Sequence, residues 1–112
     1  MQEFSDFLRH DYQYAYVAIA TFKPGKFAEA QQLFAEAVAT YSKGFKGAYL
    51  LQKPDTDEGI AFIMWENLED MDENRTEAHE KILQQMNHLF ASPPVTNFYE
   101  ICKEMLPEKS IA

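Results

Sequence analysis

Four segments of the chain have the alternation and composition of β-strands. Residues 14–22 (YAYVAIATF) are rich in β-branched and aromatic side chains and are followed by the turn-forming sequence Lys23-Pro24-Gly25. Residues 45–53 and 60–66 are similar runs joined by a polar segment, which predicts an antiparallel hairpin. A last strand is predicted from residue 95 to about residue 103.

Two other segments carry apolar residues at helical spacing. The first runs from residue 26 to residue 42, and we expect it to end at Lys43-Gly44, because glycine readily adopts the left-handed conformation that ends many helices. Its apolar face consists of Phe27, Ala30, Phe34, Ala37, Val38 and Tyr41.

The second helical region covers residues 68–89 and is closed by Pro93 and Pro94. Arg75 interrupts its apolar face directly after a polar stretch, residues 72–74. This interruption predicts a kink or two consecutive helices. Outside these elements, a short helix is predicted through Phe4 and Leu8, and the residues after Met105 are interpreted as a tail or a partner-clasping arm.

The predicted order is β-α-β-β-α-β, the ferredoxin-like α+β arrangement, in which a four-stranded antiparallel sheet carries its helices on one face. Both faces of this sheet are apolar, since the third strand alternates Ile60, Phe62 and Met64 with Ala61, Ile63 and Trp65. An apolar sheet face of that size is rarely left in water. We therefore expect a homodimer packed sheet on sheet as a dimeric α+β barrel.

Length and charge narrow the functional classes. With 112 residues, one domain spanning 1–112 is expected, with its core at about residues 14–103. The net charge of −8 disfavours nucleic acid as a partner. No apolar run is long enough to cross a membrane and the first residues lack the pattern of a secretory signal, so a cytoplasmic protein without membrane partners is predicted.

The residue types that commonly bind metals do not occur at a spacing typical of a metal site. Cys102 is the single cysteine, and its apolar surroundings in the sequence favour a core position over a nucleophile. His79 and His88 are nine residues apart on one predicted helix, which places them half a turn out of phase, so they do not form a chelating pair with Glu80. No metal site is predicted.

Three segments at matching intervals resemble the antibiotic-biosynthesis-monooxygenase-like family, over roughly residues 14–103. Residues 21–25 (TFKPG) resemble the end of the family's first strand and its turn into a helix. Residues 45–51 (FKGAYLL) resemble its G-F-x-G-x-x-L segment, and residues 65–71 (WENLEDM) its W-E-S-x-E-A-F segment. His79 stands near the position where many members have a histidine.

The resemblance implies a cofactor-independent monooxygenase that oxidises a small aromatic or quinol-type ligand with molecular oxygen, in a pocket between the sheet and the helices. An electron-rich phenolate reduces oxygen directly, so the protein has to bind the ring, promote loss of a proton and stabilise the anion. His79 is the candidate catalytic residue, because its ordinary pKa lies close to neutrality. The candidate substrate-binding residues are the hydrogen-bonding Tyr49 and Asn67 and the ring-lining Trp65, Phe62 and Met64.

Each of these residues also has a structural interpretation. Trp65 suits ordinary core or dimer packing, and His79 suits a helix-fixing hydrogen bond. Asn67 precedes an acidic first turn and suits a helix N-cap. Tyr14, Tyr16 and Tyr41 are assigned to packing.

Departures from the family pattern keep other functions open. Haem-degrading relatives use an asparagine on the first strand and a tryptophan in the second helical region, and this chain has neither, which disfavours haem degradation. The asparagine implied for some aromatic-polyketide oxygenases is missing from the first strand as well. The alternatives are a non-catalytic dimeric barrel that binds a small apolar ligand, with a stress or ligand-binding role, and an isomerase or decarboxylase of small oxygenated compounds.

Overall fold

The computed structural model of the protein describes residues 13–107. Its four strands are β1 (Gln13–Thr21), β2 (Phe45–Gln52), β3 (Glu58–Trp65) and β4 (Val95–Ile101). They form one sheet in the order β2-β3-β1-β4, with every neighbouring pair antiparallel. The helices are α1 (Phe27–Val38), α2 (Leu68–Glu73) and α3 (Glu77–Asn87). The predicted ferredoxin-like α+β fold is confirmed, and the predicted N-terminal helix lies outside the described residues.

The first helix ends earlier than its apolar spacing predicts. Phe27, Ala30, Leu33 and Ala37 are its buried face, but the helix stops at Val38 and not near residue 42. The Thr40 hydroxyl donates a hydrogen bond to the carbonyl of Ala37 over 2.7 Å, and the Thr40 N–H donates to the same oxygen. The carbonyl that would continue the helix is therefore already used, and Tyr41 lies in the connection to β2.

The second helical region is divided, as the sequence predicts. The break falls between Glu73 and Glu77 and contains Arg75. Thr76 caps the following helix, since its hydroxyl oxygen accepts a hydrogen bond from the N–H of His79 over 3.2 Å. This cap sets the position of His79 in the first turn of α3.

The two faces of the sheet differ in what covers them. The face toward the helices contributes Ala20 and Phe22 to a buried cluster with Phe27, Leu33 and Leu89. The opposite face, called here the open face, keeps large apolar side chains exposed in the described part of the chain: Ile19, Tyr49, Leu51, Val95 and Tyr99. Cys102 is exposed also, so the predicted core position for it is wrong: β4 ends at Ile101, and the thiol lies beyond the sheet. Among residues 13–107 no helix has the length and apolar character that crossing a membrane requires.

Candidate functional site

A cavity of about 440 Å³ lies between the sheet and the helices. It exists because the central strands carry small residues where the sheet faces α1 and α3. Ala18 is paired with Ala61 and Ala20 with Gly59 across β1 and β3. The side chains of Ala18 and Ala61 are too short to fill the space under the helices, whereas the ring of Phe27 occupies the space in front of Gly59. The sequence contained this signal, small residues at alternate positions of two paired strands, but it was not interpreted as a cavity floor.

Aromatic rings and a histidine close one end of the cavity. The ring of Tyr41 lies 4.7 Å from the ring of Trp65, in an edge-to-face arrangement, and 5.2 Å from the ring of His79. Phe45 packs against both Tyr41 and Trp65, with centroids 5.4 and 5.8 Å apart. Three elements meet here: the end of β3, the first turn of α3 and the segment between α1 and β2.

His79 is buried and lines the cavity, with 6% of its surface exposed. Its Nε2 atom lies 2.9 Å from the hydroxyl of Tyr41, whereas its Nδ1 atom has no hydrogen-bond partner in the described part of the chain. Burial lowers the pKa of His79 below the ordinary 6.5; the carboxylate of Glu80 opposes this shift and the charge of Arg75 adds to it. The imidazole is therefore neutral at pH 7, with one ring nitrogen unbonded among the described residues.

Tyr41 has a raised pKa for a related reason. Burial, followed by the neighbouring Tyr16, raises the pKa of its hydroxyl to about 12, and Arg75 acts in the opposite direction. The phenol therefore keeps its proton across the physiological range. Sequence reasoning assigned Tyr41 to packing alone, and no pattern in the sequence joins it to a histidine 38 residues away.

Trp65 is fully buried and brings a second polar atom to the same end of the cavity. Within the described residues its indole N–H has no hydrogen-bond partner, although a buried N–H group normally has one. Its ring packs on Tyr41 and Phe45, as the structural interpretation predicts. The predicted site residues that line the cavity are thus Trp65 and His79.

The other predicted substrate-binding residues lie elsewhere. Successive strand residues point to opposite faces, so Phe62 and Met64 cannot share a slot with Trp65, and Tyr49 is paired with Phe62 on the open face. Asn67 is exposed at the N-cap position of α2, where its side-chain amide donates to a carboxylate oxygen of Asp70 over 3.3 Å and makes no capping bond. None of these four residues lines the cavity. For Phe62 and Met64 the reason is the alternation of side chains along β3, which directs them to the face opposite Trp65.

Charge is confined to the exposed rim of the cavity. The Nε atom of Arg75 lies 3.2 Å from a carboxylate oxygen of Glu80, and both side chains are largely exposed. Gln84 and Asn87 continue this rim and are exposed as well. Within residues 13–107 no group of three or more His, Cys, Asp or Glu side chains is placed to hold a metal ion.

Comparison with known proteins gives a structural match without a sequence match. No family model matches the chain, and no curated protein matches it significantly. A conserved protein from Methanosarcina mazei has a TM-score of 0.73 at 15% identity, over 83% of this chain and 96% of that one. A candidate antibiotic biosynthesis monooxygenase from Caulobacter crescentus also has a TM-score of 0.73 at 15% identity, over 89% of this chain and 99% of that one.

A third structure is SnoaB, a cofactor-independent oxygenase from Streptomyces nogalater. Its TM-score is 0.72 at 20% identity, over 86% of this chain and 98% of that one. At these identities the likeness establishes a shared fold. The fold that the sequence resemblance predicts is the one these proteins have.

Proposed function

Because this chain has the fold of the antibiotic-biosynthesis-monooxygenase-like proteins, we propose that it is a cofactor-independent monooxygenase acting on a small aromatic or quinol-type substrate. The observation that carries the proposal is the buried His79 at the cavity, whose Nδ1 atom has no hydrogen-bond partner among residues 13–107. An unpartnered buried nitrogen in an apolar cavity marks the place where a ligand's polar group would bind. The fold match with SnoaB, a cofactor-independent oxygenase, supports the reaction type.

The size and lining of the cavity support a substrate of one or two rings. A volume of about 440 Å³ lies in the range of roughly 300–1,000 Å³ that small-molecule pockets occupy. Most of the lining is apolar, and the polar atoms are concentrated around Tyr41, His79 and Trp65 at one end. A flat apolar ring with one oxygen substituent directed at that end would satisfy both features.

In the proposed reaction, a quinol loses one phenolic proton and the resulting anion transfers an electron to oxygen. One oxygen atom of O₂ forms a new carbon–oxygen bond on the ring, and the other leaves as water with two hydrogens from the substrate. The substrate supplies all four electrons, so no external reductant is required. His79 bonds the substrate oxygen and stabilises the anion, while the proton leaves to water at the exposed rim. Trp65 and the apolar walls hold the ring in place.

The proposal includes a homodimer formed through the open face. The exposed residues of that face, Ile19, Tyr49, Leu51, Val95 and Tyr99, come from all strands except β3. Between them, β3 adds the half-buried Ile60, Phe62 and Met64, so apolar side chains from all four strands occupy this face, a surface of the kind that soluble proteins cover with a partner. The cavity lies on the other side of the sheet, so dimerisation would leave it accessible.

Oxygen uptake with a panel of quinols and polyphenols tests the activity. We expect uptake that depends on the wild-type protein, persists after chelator treatment, and falls at least about tenfold in His79→Gln, a loss of roughly 1.4 kcal/mol of transition-state stabilisation. The matched control is His88→Gln, since His88 is exposed at the end of the same helix and does not line the cavity.

Equal rates in wild type and His79→Gln, or an equal loss in His88→Gln, would contradict the role given to His79. No uptake above the spontaneous background across the panel would instead favour the non-catalytic barrel. That function is consistent with the largely apolar lining, and turnover without oxygen would point to an isomerase or decarboxylase.

A further inference from the structure

The hydrogen bond between Tyr41 and His79 determines where the histidine carries its proton. In the described part of the chain the Tyr41 hydroxyl makes one hydrogen bond, to Nε2 of His79. A buried hydroxyl needs an acceptor for its proton, and the unprotonated nitrogen of a neutral imidazole accepts more strongly than a phenol oxygen does. With Tyr41 as donor, Nε2 is the accepting nitrogen, and the imidazole proton must then reside on Nδ1.

The electrostatic surroundings are consistent with this assignment. Burial keeps the pKa of His79 below 6.5 and that of Tyr41 at about 12, so a neutral imidazole meets a protonated phenol at pH 7. The ionisable groups that influence the pair are Tyr16 on β1 and Arg75 and Glu80 at the rim. The Nε atom of Arg75 donates to Oε2 of Glu80. The hydrogen-bond partner of Nε2 of His79 is the hydroxyl of Tyr41.

We propose that Tyr41 is a positioning residue that fixes His79 as the Nδ1–H tautomer and thereby makes the cavity selective for ligands with a hydrogen-bond-accepting oxygen. The ligand class is an aromatic carbonyl or phenolate, such as a quinone or an ionised quinol. This inference deepens the proposed function, since it rests on the same cavity and names the group of the substrate that His79 binds.

The indole of Trp65 supports the same ligand chemistry. Among the described residues, the buried side-chain nitrogen and oxygen atoms without a partner are Nε1 of Trp65 and Nδ1 of His79. An indole nitrogen is always a donor, and Tyr41 makes the imidazole nitrogen a donor too. Both rings pack on Tyr41, so the two N–H groups belong to the same end of the cavity. A ligand that satisfies them must bring acceptors.

Two buried donors also suit the reaction proposed for the site. Hydrogen bonds from N–H groups strengthen as negative charge develops on an oxygen, and in a cavity with little water they do so without reorganising solvent. Such donors lower the pKa of a bound phenol, so that ionisation does not require His79 to take up the proton itself. His79 then acts by stabilising the anion.

Nitrogen NMR of histidine-labelled protein tests the tautomer directly. At about pH 8, where histidine is neutral, the two ring nitrogens differ strongly in chemical shift according to which carries the proton. We expect Nε2 of His79 to be the unprotonated nitrogen in the wild type. The ring-nitrogen signals that disappear in the spectra of His79→Gln and His88→Gln show which signals belong to each histidine. Protonated Nε2 in the wild type would overturn the proposal without any need for a Tyr41 variant to fold.

Removal of the tyrosine hydroxyl tests the cause. In Tyr41→Phe the preference for Nδ1–H should be lost, whereas Tyr99→Phe, which removes a hydroxyl from the open face, should leave the His79 signals unchanged. An unchanged tautomer in a folded Tyr41→Phe would contradict the positioning role. Neither spectrum depends on turnover, so the proposal stands or falls separately from the oxygenase activity.

A pair of matched ligands tests the selectivity. The probes are 2,3-dimethyl-1,4-naphthoquinone and 2,3-dimethylnaphthalene, which differ in the two carbonyl oxygens. The methyl groups block addition by the exposed thiol of Cys102. We expect the quinone to bind about fivefold more tightly in the wild type, the scale of one net hydrogen bond, and to shift the N–H proton signals of His79 and Trp65. Equal affinities, or an advantage that is unchanged in Tyr41→Phe, would overturn the proposal.

Discussion

At the scale of single residues, small side chains leave the space for a cavity, and one hydrogen bond, between Tyr41 and His79, holds the imidazole at its end. Ala18 and Ala61 face each other beneath the helices, where larger residues would complete an ordinary core. The resemblance implies both His79 and Trp65 as site residues. Tyr41 was missed, because its function depends on a contact between parts of the chain that no periodicity connects.

The buried state of His79 predicts a pH dependence of stability. Its pKa in the folded protein lies below 6.5, so the unfolded chain binds the proton more readily as the pH falls. The contribution of the neutral imidazole to the free energy of unfolding is complete above pH 6.5 and is lost as the pH falls below that value. Because one proton is involved, the free energy of unfolding falls by at most about 1.4 kcal/mol per pH unit. Urea unfolding from about pH 7.5 to pH 5 measures this loss.

We expect the free energy of unfolding of the wild type to decline more steeply with falling pH than that of His79→Gln. The exposed His88 provides the comparison, since His88→Gln should keep the wild-type slope. Parallel curves for wild type and His79→Gln would contradict the proton linkage.

At the scale of elements, the break between α2 and α3 has a structural purpose beyond ending a helix. Asn74 is buried there, and its side-chain oxygen accepts from the N–H of Ser42 over 2.8 Å. Its amide nitrogen donates to the carbonyls of Lys43 and Asp70 over 3.0 and 2.7 Å. Asn74 therefore ties the helical break to the segment that carries Tyr41. The sequence predicts the break but not this connection.

Truncation of this side chain should destabilise the protein. Asn74→Ala would leave the N–H of Ser42 and the carbonyl of Lys43 without these bonds, and we expect a loss of about 2–4 kcal/mol in the free energy of unfolding. Gln31→Ala, at an exposed position of α1 away from the open face, should change it by roughly 0.5 kcal/mol or less. Urea unfolding measures both variants, and equal effects would show that the three hydrogen bonds contribute little.

At the scale of the whole molecule, the sheet separates two different surfaces. One face bears the cavity and its helices, and the open face keeps its apolar side chains exposed. Because strand residues alternate between the faces, the same strands serve both. This alternation explains why Tyr49, Phe62 and Met64 fit better as partner-binding residues than as substrate-binding ones.

A charge on the open face tests the proposed dimer. Analytical ultracentrifugation of the wild type should give twice the 13.0 kDa chain mass, and Ile19→Glu, in the central strand β1, should shift the equilibrium to monomer. Ala35→Glu adds the same charge on the exposed side of α1 and should remain dimeric. A monomeric wild type would rule out the dimer at the concentrations used.

The fold could be predicted from the sequence because its signals are local. Period-two and helical spacings identify the elements, and their order restricts the sheet to a ferredoxin-like arrangement. The predicted end of α1 was wrong because another interaction competes with the helical hydrogen bonds. The helix ends at Val38, since the Thr40 hydroxyl bonds the carbonyl of Ala37. Of the six predicted site residues, His79 and Trp65 line the cavity, whereas Asn67 and the three open-face residues do not.

The sequence by itself determined the strands, the helices, the helical break and the two-sided apolar sheet, since each depends on neighbours along the chain. Only the tertiary structure decided that Tyr41 bonds His79, that Asn74 holds the Tyr41 segment, and that small residues paired across β1 and β3 leave a cavity. These features join residues about 30 to 45 positions apart in the sequence. The packing of the elements sets the geometry of these contacts, and the spacing of side chains along the chain does not predict it.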